Sequence, residues 1–343
     1  MSDPLVVSCD PAELRRFAGA ILSRLGVGTE DARFMAGVIV DSDLAGHESH
    51  GMRRLAEYVQ RWREGKVVAD AQPTIDLDSG AIARLDGGSG FGQLVIRDAT
   101  DLAVARAKEW GIAAIAVRRS SHAGRYADFC ERAAQLGVAI LFFVNDAGAG
   151  QDVAPPGGLH PRLATNPIAI GIPRARAPHL VLDMSTSVVA AGRVAEWRDR
   201  GEPIPADWVN ETGALRPVGG FKGFGLALVA EALAGALTGA GTVTANPEHD
   251  DQGVLVIALD IARLRPLDDF AAEVEQFISY VREVPLEHGV AAIRMPGETT
   301  HETTRRREAD GVPVREFTWL ALHTLADEFD VPPPAQIQET HTA

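Results

Sequence analysis

The hydrophobic pattern of the chain changes near Pro73, and this change constrains the fold more than any other feature. Before it, apolar residues recur at helical spacing in three stretches that begin near Pro11, Thr29 and Ser49. After it, short apolar runs alternate with longer amphipathic segments, a pattern typical of strands and helices packed in layers. The sequence therefore predicts an α/β protein with a helical N-terminal part.

Apolar runs predict strands at 112–117, 138–144, 167–172, 180–184 and 254–259. Amphipathic segments predict helices at 94–110, 126–136, 223–237 and 268–284. Prolines and polar residues predict an extended or mobile tail at the C-terminal end. We therefore divide the chain into a helical subdomain (1–72), an α/β core (73–330) and a tail (331–343).

The balance of acidic and basic residues bears on which ligands the protein could bind. The chain has 47 acidic and 33 basic residues and a formal net charge of −14, so most of its surface would repel a nucleic acid. We expect no nucleic-acid partner. A small anionic ligand would need local Arg, Lys or His residues.

Two cysteines, Cys9 and Cys130, cannot build a disulfide framework and suit a reducing compartment. The N-terminal residues lack the basic and apolar parts of an export signal. The longest apolar stretch, 226–241, contains Glu231 and many small residues, which indicates a buried helix rather than a membrane span. We expect a cytoplasmic protein without membrane contact.

His50 and Arg54 are candidate ligand-binding residues because they are four positions apart. On one continuous helix they would lie about 40° apart on the same face. The guanidinium fork matches a carboxylate, and imidazole exchanges a proton near neutral pH. A capping histidine and a solvated surface arginine would give the same spacing.

A metal site is the alternative use of this region. His47, His50, Asp41 and Asp43 are residue types that bind zinc. However, His47 and His50 are one residue too close for the HExxH arrangement, and Gly46 interrupts the helical pattern. We therefore predict no metal site.

His122 is a second candidate acid or base. It follows the predicted strand 112–117 and precedes a predicted helix, and loops at that position often face a cleft. A loop histidine that only bonds to the backbone would fit the same position.

Glycine-rich segments give no standard nucleotide motif. GGSGFG at 87–92 lacks the GxGxxG spacing, and no Walker A sequence occurs. Better candidates for a binding loop are ATNP at 164–167, LDMSTS at 182–187 and GGFKGFG at 219–225, where glycines allow close approach and Lys222 supplies charge. Each could also be an ordinary turn, and Asp183 with Ser185 could cap the helix that follows.

The order of these motifs resembles that of the malate/L-lactate dehydrogenase family of the second type. This family includes sulfolactate, ureidoglycolate, diketogulonate and piperideine-carboxylate oxidoreductases. The similar stretches span nearly the whole chain, at 43–55, 111–124, 153–173, 180–192, 204–213, 217–228 and 293–298.

The resemblance implies a non-Rossmann nicotinamide-binding fold, in which a mixed-sheet core binds cofactor and substrate beside a helical N-terminal part. It also implies a homodimer with active sites near the subunit contact. A fold of this kind explains why GxGxxG is missing.

The resemblance further implies roles for individual residues. The histidines with acid/base roles in the family fall on His50 and His122, and Arg54 would bind the substrate carboxylate. The expected cofactor-binding residues are Asn145, Asp146, Thr165, Asn166, His179, Leu182, Asp183, Met184, Ser185, Phe221, Lys222, Gly297, Glu298 and Thr299.

The chain departs from the family pattern around the cofactor. It has Ser121 where Asn is frequent, Asp146 where Ser is frequent and Ala164 where Gly is usual, and its connection between 213 and 217 is short. A carboxylate at 146 would repel a phosphate, whereas one that accepts from ribose hydroxyls favours NAD over NADP. The expected cofactor is NAD or NADP, with NAD favoured.

We therefore expect hydride transfer between NAD(P) and a small 2-hydroxy or 2-oxo acid, or a related cyclic imino acid. A histidine would donate or accept the proton, and Arg54 would hold the carboxylate. The alternatives are a metal-dependent hydrolase and a catalytically inactive cofactor-binding relative.

Overall fold

The structure is a computed structural model that describes residues 6–148, 150–199, 201–247 and 250–337. The chain divides into two compact units, Met1–Ala71 with Thr299–Ala343, and Gln72–Glu298. Our division by sequence had kept residues up to 330 in the core. The segment from Thr299 instead groups with the N-terminal helices, because a strand near the C-terminus pairs with a strand near the N-terminus.

The described strands are β1 (Val6–Cys9), β2 (Thr74–Ser79), β3 (Ile82–Gly90), β4 (Ile112–Ser120), β5 (Val138–Asp146), β6 (Ile168–Ile172), β7 (Leu180–Met184), β8 (Gln252–Asp260) and β9 (Val312–Arg315). The described α-helices are α1 (Pro11–Arg24), α2 (Thr29–Leu44), α3 (Arg53–Arg63), α4 (Gly92–Trp110), α5 (Ala127–Gln135), α6 (Ala191–Asp199), α7 (Phe221–Ala230), α8 (Leu267–Arg282), α9 (Glu298–Asp310) and α10 (Glu316–Phe329). A π-helical segment, Glu231–Ala236, continues α7. No helix of the described residues is long and apolar enough to cross a membrane.

The residues around Asp10 explain where α1 of the first unit begins. The Asp10 carboxylate accepts a hydrogen bond from the backbone N–H of Ala12 at 2.6 Å, and Pro11 occupies the first turn of α1. Phe17 and Leu22 of this helix are fully buried. Burial of one such side chain contributes roughly 1.5–3 kcal/mol, so α1 is held mainly by packing.

The two ends of the chain meet in the first unit. β1 pairs antiparallel with β9, from Val6 opposite Arg315 to Cys9 opposite Val312. Beyond α10, Cys9 forms an isolated bridge with Gln336, and the N–H of Ile337 donates to the carbonyl of Ser8 at 2.8 Å. The described part of the predicted tail is therefore extended and bonded to β1, and residues 338–343 lie outside the described residues.

The second unit contains a seven-stranded sheet in the order β2-β3-β4-β8-β5-β6-β7. β3 and β4 are parallel and the other neighbours are antiparallel, so the sheet is mixed. All five predicted strands of the core are confirmed. β2 and β3 were missed because every residue of β2 is exposed, and β3 ends in the glycine-rich GGSG, which weakens a strand pattern.

The strand register brings several loops to one edge of this sheet, which we call the site edge. Ser120 at the end of β4 and Asp146 at the end of β5 both pair with Gln252 at the start of β8. Ile168 at the start of β6 pairs with Met184 at the end of β7. The segments that follow β4, β5 and β7 and the segment that precedes β6 therefore lie at the site edge.

Backbone hydrogen bonds attach the start of α7 to the segment after β7. The N–H of Val218 donates to the carbonyl of Thr186 at 2.9 Å, and the N–H of Gly223 donates to the carbonyl of Val218 at 2.8 Å. A Cβ at position 223 would overlap Val218 and lie 2.7 Å from the Thr186 carbonyl oxygen. Only glycine allows the helix to approach this closely.

We predict that both cysteines are unreactive in the folded protein. Cys9 and Cys130 are fully buried. Burial, with a smaller contribution from the Asp43 charge, raises the pKa of Cys9 to about 11, and burial raises the pKa of Cys130 well above its ordinary value. A chromogenic disulfide reagent at pH 8 should therefore detect no thiol before denaturant is added and both thiols afterwards, whereas fast labelling of the native protein would contradict this packing.

We predict that Gly223→Ala lowers the free energy of unfolding by about 1–3 kcal/mol, the usual cost of forcing extra volume into a packed contact. Gly225→Ala is the matched control, because it lies two residues along the same helix and a Cβ there meets no atom within 4 Å. Chemical denaturation should show a lower midpoint for the first variant and an unchanged or higher midpoint for the second. Equal midpoints would contradict the proposed close contact.

Candidate active site

His50 and Arg54 do not share one helix, which corrects the geometry that we predicted. His50 ends a short 3₁₀ turn, Glu48–His50, and α3 begins only at Arg53. The buried carboxylate of Asp43 accepts a hydrogen bond from the backbone N–H of Met52 at 2.7 Å. This satisfies an N–H before the first turn of α3, and the carboxylate lies so close to Gly51 that a Cβ there would overlap it.

His50 and Arg54 are nevertheless brought together around Ser49. The hydroxyl of Ser49 lies 2.9 Å from Nδ1 of His50, and the Ser49 carbonyl accepts from Nε of Arg54 at 2.8 Å. The Arg54 guanidinium also forms an ion pair with Glu57. Both side chains are partly buried, so the turn holds an imidazole and a cation in fixed orientations.

Arg307 of α9 forms hydrogen bonds with the turn that carries His50 and with the end of α2. Its guanidinium donates to Glu48 Oε1 at 2.6 Å and to the carbonyl of Asp43. Burial alone would raise the pKa of Glu48, but a backbone hydrogen bond and the Arg307 guanidinium outweigh it and lower that pKa. Arg307 was not predicted from the sequence, and Asp43 was predicted only as a candidate metal ligand. Among the residues that the structure describes, no group of three or more His, Cys, Asp and Glu side chains could hold a metal ion.

His122 lies in the loop after β4, at the site edge. The N–H of Ser121 donates to the carbonyl of Gly90 at 3.2 Å, and the N–H of Gly92 donates to the Ser121 hydroxyl at 3.0 Å. His122 is partly exposed, whereas Ser121 and Ala123 on either side are buried. The GGSGFG stretch is thus hydrogen-bonded to the loop that carries His122.

Asp183 ties the LDMSTS segment to the helix that follows the His122 loop. Its carboxylate accepts from the N–H of Ala127 at 2.9 Å, at the start of α5. Burial raises the pKa of Asp183, and hydrogen bonds from Ala127 and Tyr126 and the charge of Arg125 offset part of this rise. Asp183 therefore caps α5, and not the helix that follows it in sequence.

The TNP and LDMSTS segments are bonded to each other. The carbonyl of Thr165 accepts from both the N–H and the hydroxyl of Thr186, each at 2.8 Å. The next residue, Asn166, is fully buried with φ of 33°, a strained value for a residue other than glycine. Its amide donates to the Glu231 carboxylate at 2.8 Å.

Asn145 and Asp146 differ in what their side chains do. Asn145 is buried and donates to Glu231 at 3.1 Å and to the carbonyl of Gly241 at 2.9 Å, while its oxygen accepts from the N–H of Gly253 at 3.1 Å. These bonds use its amide within the protein. Asp146 is partly exposed and accepts from the N–H of Gly148 at 3.0 Å.

His179 and the segment 296–298 lie at the opposite end of β7 from Met184. The carbonyl of Pro296 accepts from the N–H of Val181, beside Gly297. Burial, and then the charge of Arg174, lowers the pKa of His179. Arg174 is paired with Glu275 at 2.8 Å and lies 3.6 Å from Glu298. The first and last residues of β7, Leu180 and Met184, lie about 13 Å apart at 3.3 Å per residue.

The segment just before α7 borders a cavity of about 470 Å³. Its walls include Gly219, Gly220 and the segment 154–158, which was not predicted to be a binding segment. Phe221 and Lys222 are both exposed. Of the remaining predicted residues, Leu182 is exposed, Met184 and Ser185 are partly buried, and Thr299 is exposed in the first turn of α9.

The comparisons with known proteins agree with the motif order. The model of the malate/L-lactate dehydrogenase family matches residues 9–323. L-sulfolactate dehydrogenase of Methanothermobacter thermautotrophicus is 33% identical, and the alignment covers 94% of this chain and 97% of that protein.

Solved structures show the same fold. The crystal structure of malate dehydrogenase from Entamoeba histolytica has a TM-score of 0.91 at 25% identity and covers 96% of this chain and 100% of that chain. The Δ1-piperideine-2-carboxylate reductase of Pseudomonas syringae has a TM-score of 0.80 at 28% identity and covers 93% and 99% of the two chains. The chain therefore belongs to the malate/L-lactate dehydrogenase family.

Proposed function

We propose that this protein is a nicotinamide-dependent dehydrogenase or reductase that acts on a small 2-hydroxy or 2-oxo acid, or on a related cyclic imino acid. The observation that carries the proposal is the site edge, where the His122 loop, Asp146, Thr165 and the LDMSTS segment converge on one side of the sheet. The relatives named above act on sulfolactate, malate and a cyclic imino acid.

The residues present fit a dinucleotide held without a Rossmann motif. The cavity beside Gly219 and Gly220 has a volume typical of small-molecule sites. Candidate contacts lie at both ends of β7, with Met184 and Ser185 at one end and His179 and Gly297 at the other. The carboxylate of Asp146, at the site edge, would accept hydrogen bonds from ribose hydroxyls and repel a phosphate. We therefore propose NAD in preference to NADP.

The chemistry follows from residue types and their contacts. A bound nicotinamide supplies the hydride at C4. During reduction of the substrate C=O or C=N bond, His50 or His122 would donate the proton that the oxygen or nitrogen takes up. Arg54, oriented by Ser49, holds the carboxylate, and a preorganised cation and proton donor together lower such barriers by several kcal/mol.

A homodimer is part of the proposal, and α7 supports it. This helix buries its small residues Gly223, Ala227 and Ala230 and exposes larger ones, including Leu228 at 47% and Val229 at 50%. Large exposed apolar side chains next to a binding cleft are typical of contact surfaces between subunits. The two buried thiols suit the cytoplasm, which we propose as the location.

The function is tested by following nicotinamide absorbance with NADH and NADPH against pyruvate, oxaloacetate, sulfopyruvate, other 2-oxo acids and cyclic imines. We predict turnover with at least one substrate class, and a loss of about 100-fold or more in kcat for His50→Ala or His122→Ala, whichever removes the proton donor. Cofactor affinity should change little. His288→Ala, at an exposed loop position, is the control and should retain full activity.

Full activity in both histidine variants would overturn the acid/base assignment. Tight cofactor binding without turnover across the panel would favour an inactive relative. Stoichiometric metal with chelator-sensitive hydrolysis would favour a hydrolase.

We also predict that Leu228→Glu weakens the dimer, because a buried unpaired charge at a contact costs several kcal/mol. Sedimentation velocity should show a shift toward monomer. Leu264→Glu, at a 79% exposed site on another segment, is the matched control and should leave the assembly unchanged. A wild-type monomer, or a Leu228→Glu dimer of undiminished affinity, would contradict the proposal.

A further inference from the structure

One buried carboxylate, that of Glu231, connects several segments of the site edge. It begins the π-helical segment after α7 and is 6% exposed. Its Oε1 accepts from the Asn145 amide at 3.1 Å and from the N–H of Val243 at 2.7 Å, and its Oε2 accepts from the Asn166 amide at 2.8 Å. π-Helical turns inside helices are frequent at functional sites.

The same asparagines are bonded to other segments. The Asn145 oxygen accepts from Gly253 at the start of β8, and the Asn166 nitrogen also donates to the carbonyl of Ala227 in α7 at 3.1 Å. The Asn166 oxygen is buried without a hydrogen-bond partner. The nitrogen of this amide, which donates to Glu231, therefore sets its orientation.

The energetics favour a role in positioning. A buried carboxylate is costly unless N–H groups donate to it, and charge-assisted hydrogen bonds are roughly twice as strong as neutral ones. Asn166 has a strained backbone conformation for a residue other than glycine, and such a conformation persists only where surrounding contacts impose it. The Glu231 bond is one of the contacts that impose it.

We propose that Glu231 is a positioning residue for the cofactor. By holding Asn145 and Asn166 it sets the backbone of the adjacent Asp146, the last residue of β5, and Thr165, which precedes β6; both are candidate cofactor contacts. This inference rests on the proposed nicotinamide-dependent function. It adds a residue that touches neither substrate nor cofactor.

Glu231→Gln tests this role because it keeps the size and removes the charge. Either orientation of the new amide places an NH₂ group against a donor, Asn166 on one side or Asn145 and Val243 on the other. Asp260→Asn is the matched control. Asp260 is a buried carboxylate at the opposite end of β8, 4% exposed and paired with Lys108 at 2.6 Å.

We expect the dissociation constant for NADH, measured by fluorescence titration of the folded protein, to rise at least tenfold in Glu231→Gln. At saturating cofactor, kcat should stay within about threefold, so that the defect falls on the cofactor KM. Asp260→Asn should lower the melting temperature and leave the dissociation constant unchanged. Glu231→Asp keeps the charge but shortens the side chain, and should raise the dissociation constant at least threefold.

Unchanged cofactor affinity in Glu231→Gln and Glu231→Asp would overturn the proposal and assign Glu231 to stability alone. The same conclusion follows if neither variant folds. If Glu231→Gln alone fails to fold, the dissociation constant of Glu231→Asp for NADH tests the proposal. A wild-type protein that binds neither NADH nor NADPH would instead refute the proposed function, so the two failures are distinguishable.

Discussion

The pairing of β8 between β4 and β5 is the constraint on which the candidate site depends. β8 is antiparallel to both neighbours, so β4 and β5 run in the same direction and end at the same edge. β6 and β7 then extend the sheet from β5 by further antiparallel pairing. Residues far apart in sequence, such as His122 and Asp146, reach one edge through this backbone pairing, whatever their side chains.

Much of the core was predictable from the sequence, because its central strands are long apolar runs. Pairing order was not, since β8 follows β7 by some seventy residues yet lies at the centre of the sheet. β1 and β9 are four residues each and carry too little pattern to be recognised. The motif order alone indicated the family, because it depends on side-chain chemistry and spacing and not on strand pairing.

The structure corrects the predicted geometry around His50 and Arg54, while the roles of the candidate site residues stay predictions. His50 and Arg54 meet through Ser49, because Gly51 and the Asp43 carboxylate end the turn before α3 begins. Asn145 was assigned to the cofactor only by resemblance, and its amide is occupied inside the protein. The contacts of Asp43, Glu231 and Arg307 could not be predicted, because their partners are backbone groups or distant side chains, which spacing along the chain does not reveal.

The pairing of β1 with β9 has a consequence for the order of events during synthesis. The second unit, Gln72–Glu298, is complete on the ribosome while the strand that pairs with β1 has not yet been made. The turn that carries His50 is fastened by Arg307, which is also translated late. Domains generally fold as units as the chain emerges. The first unit therefore cannot finish folding until its C-terminal residues have been translated, although its N-terminal helices are translated first.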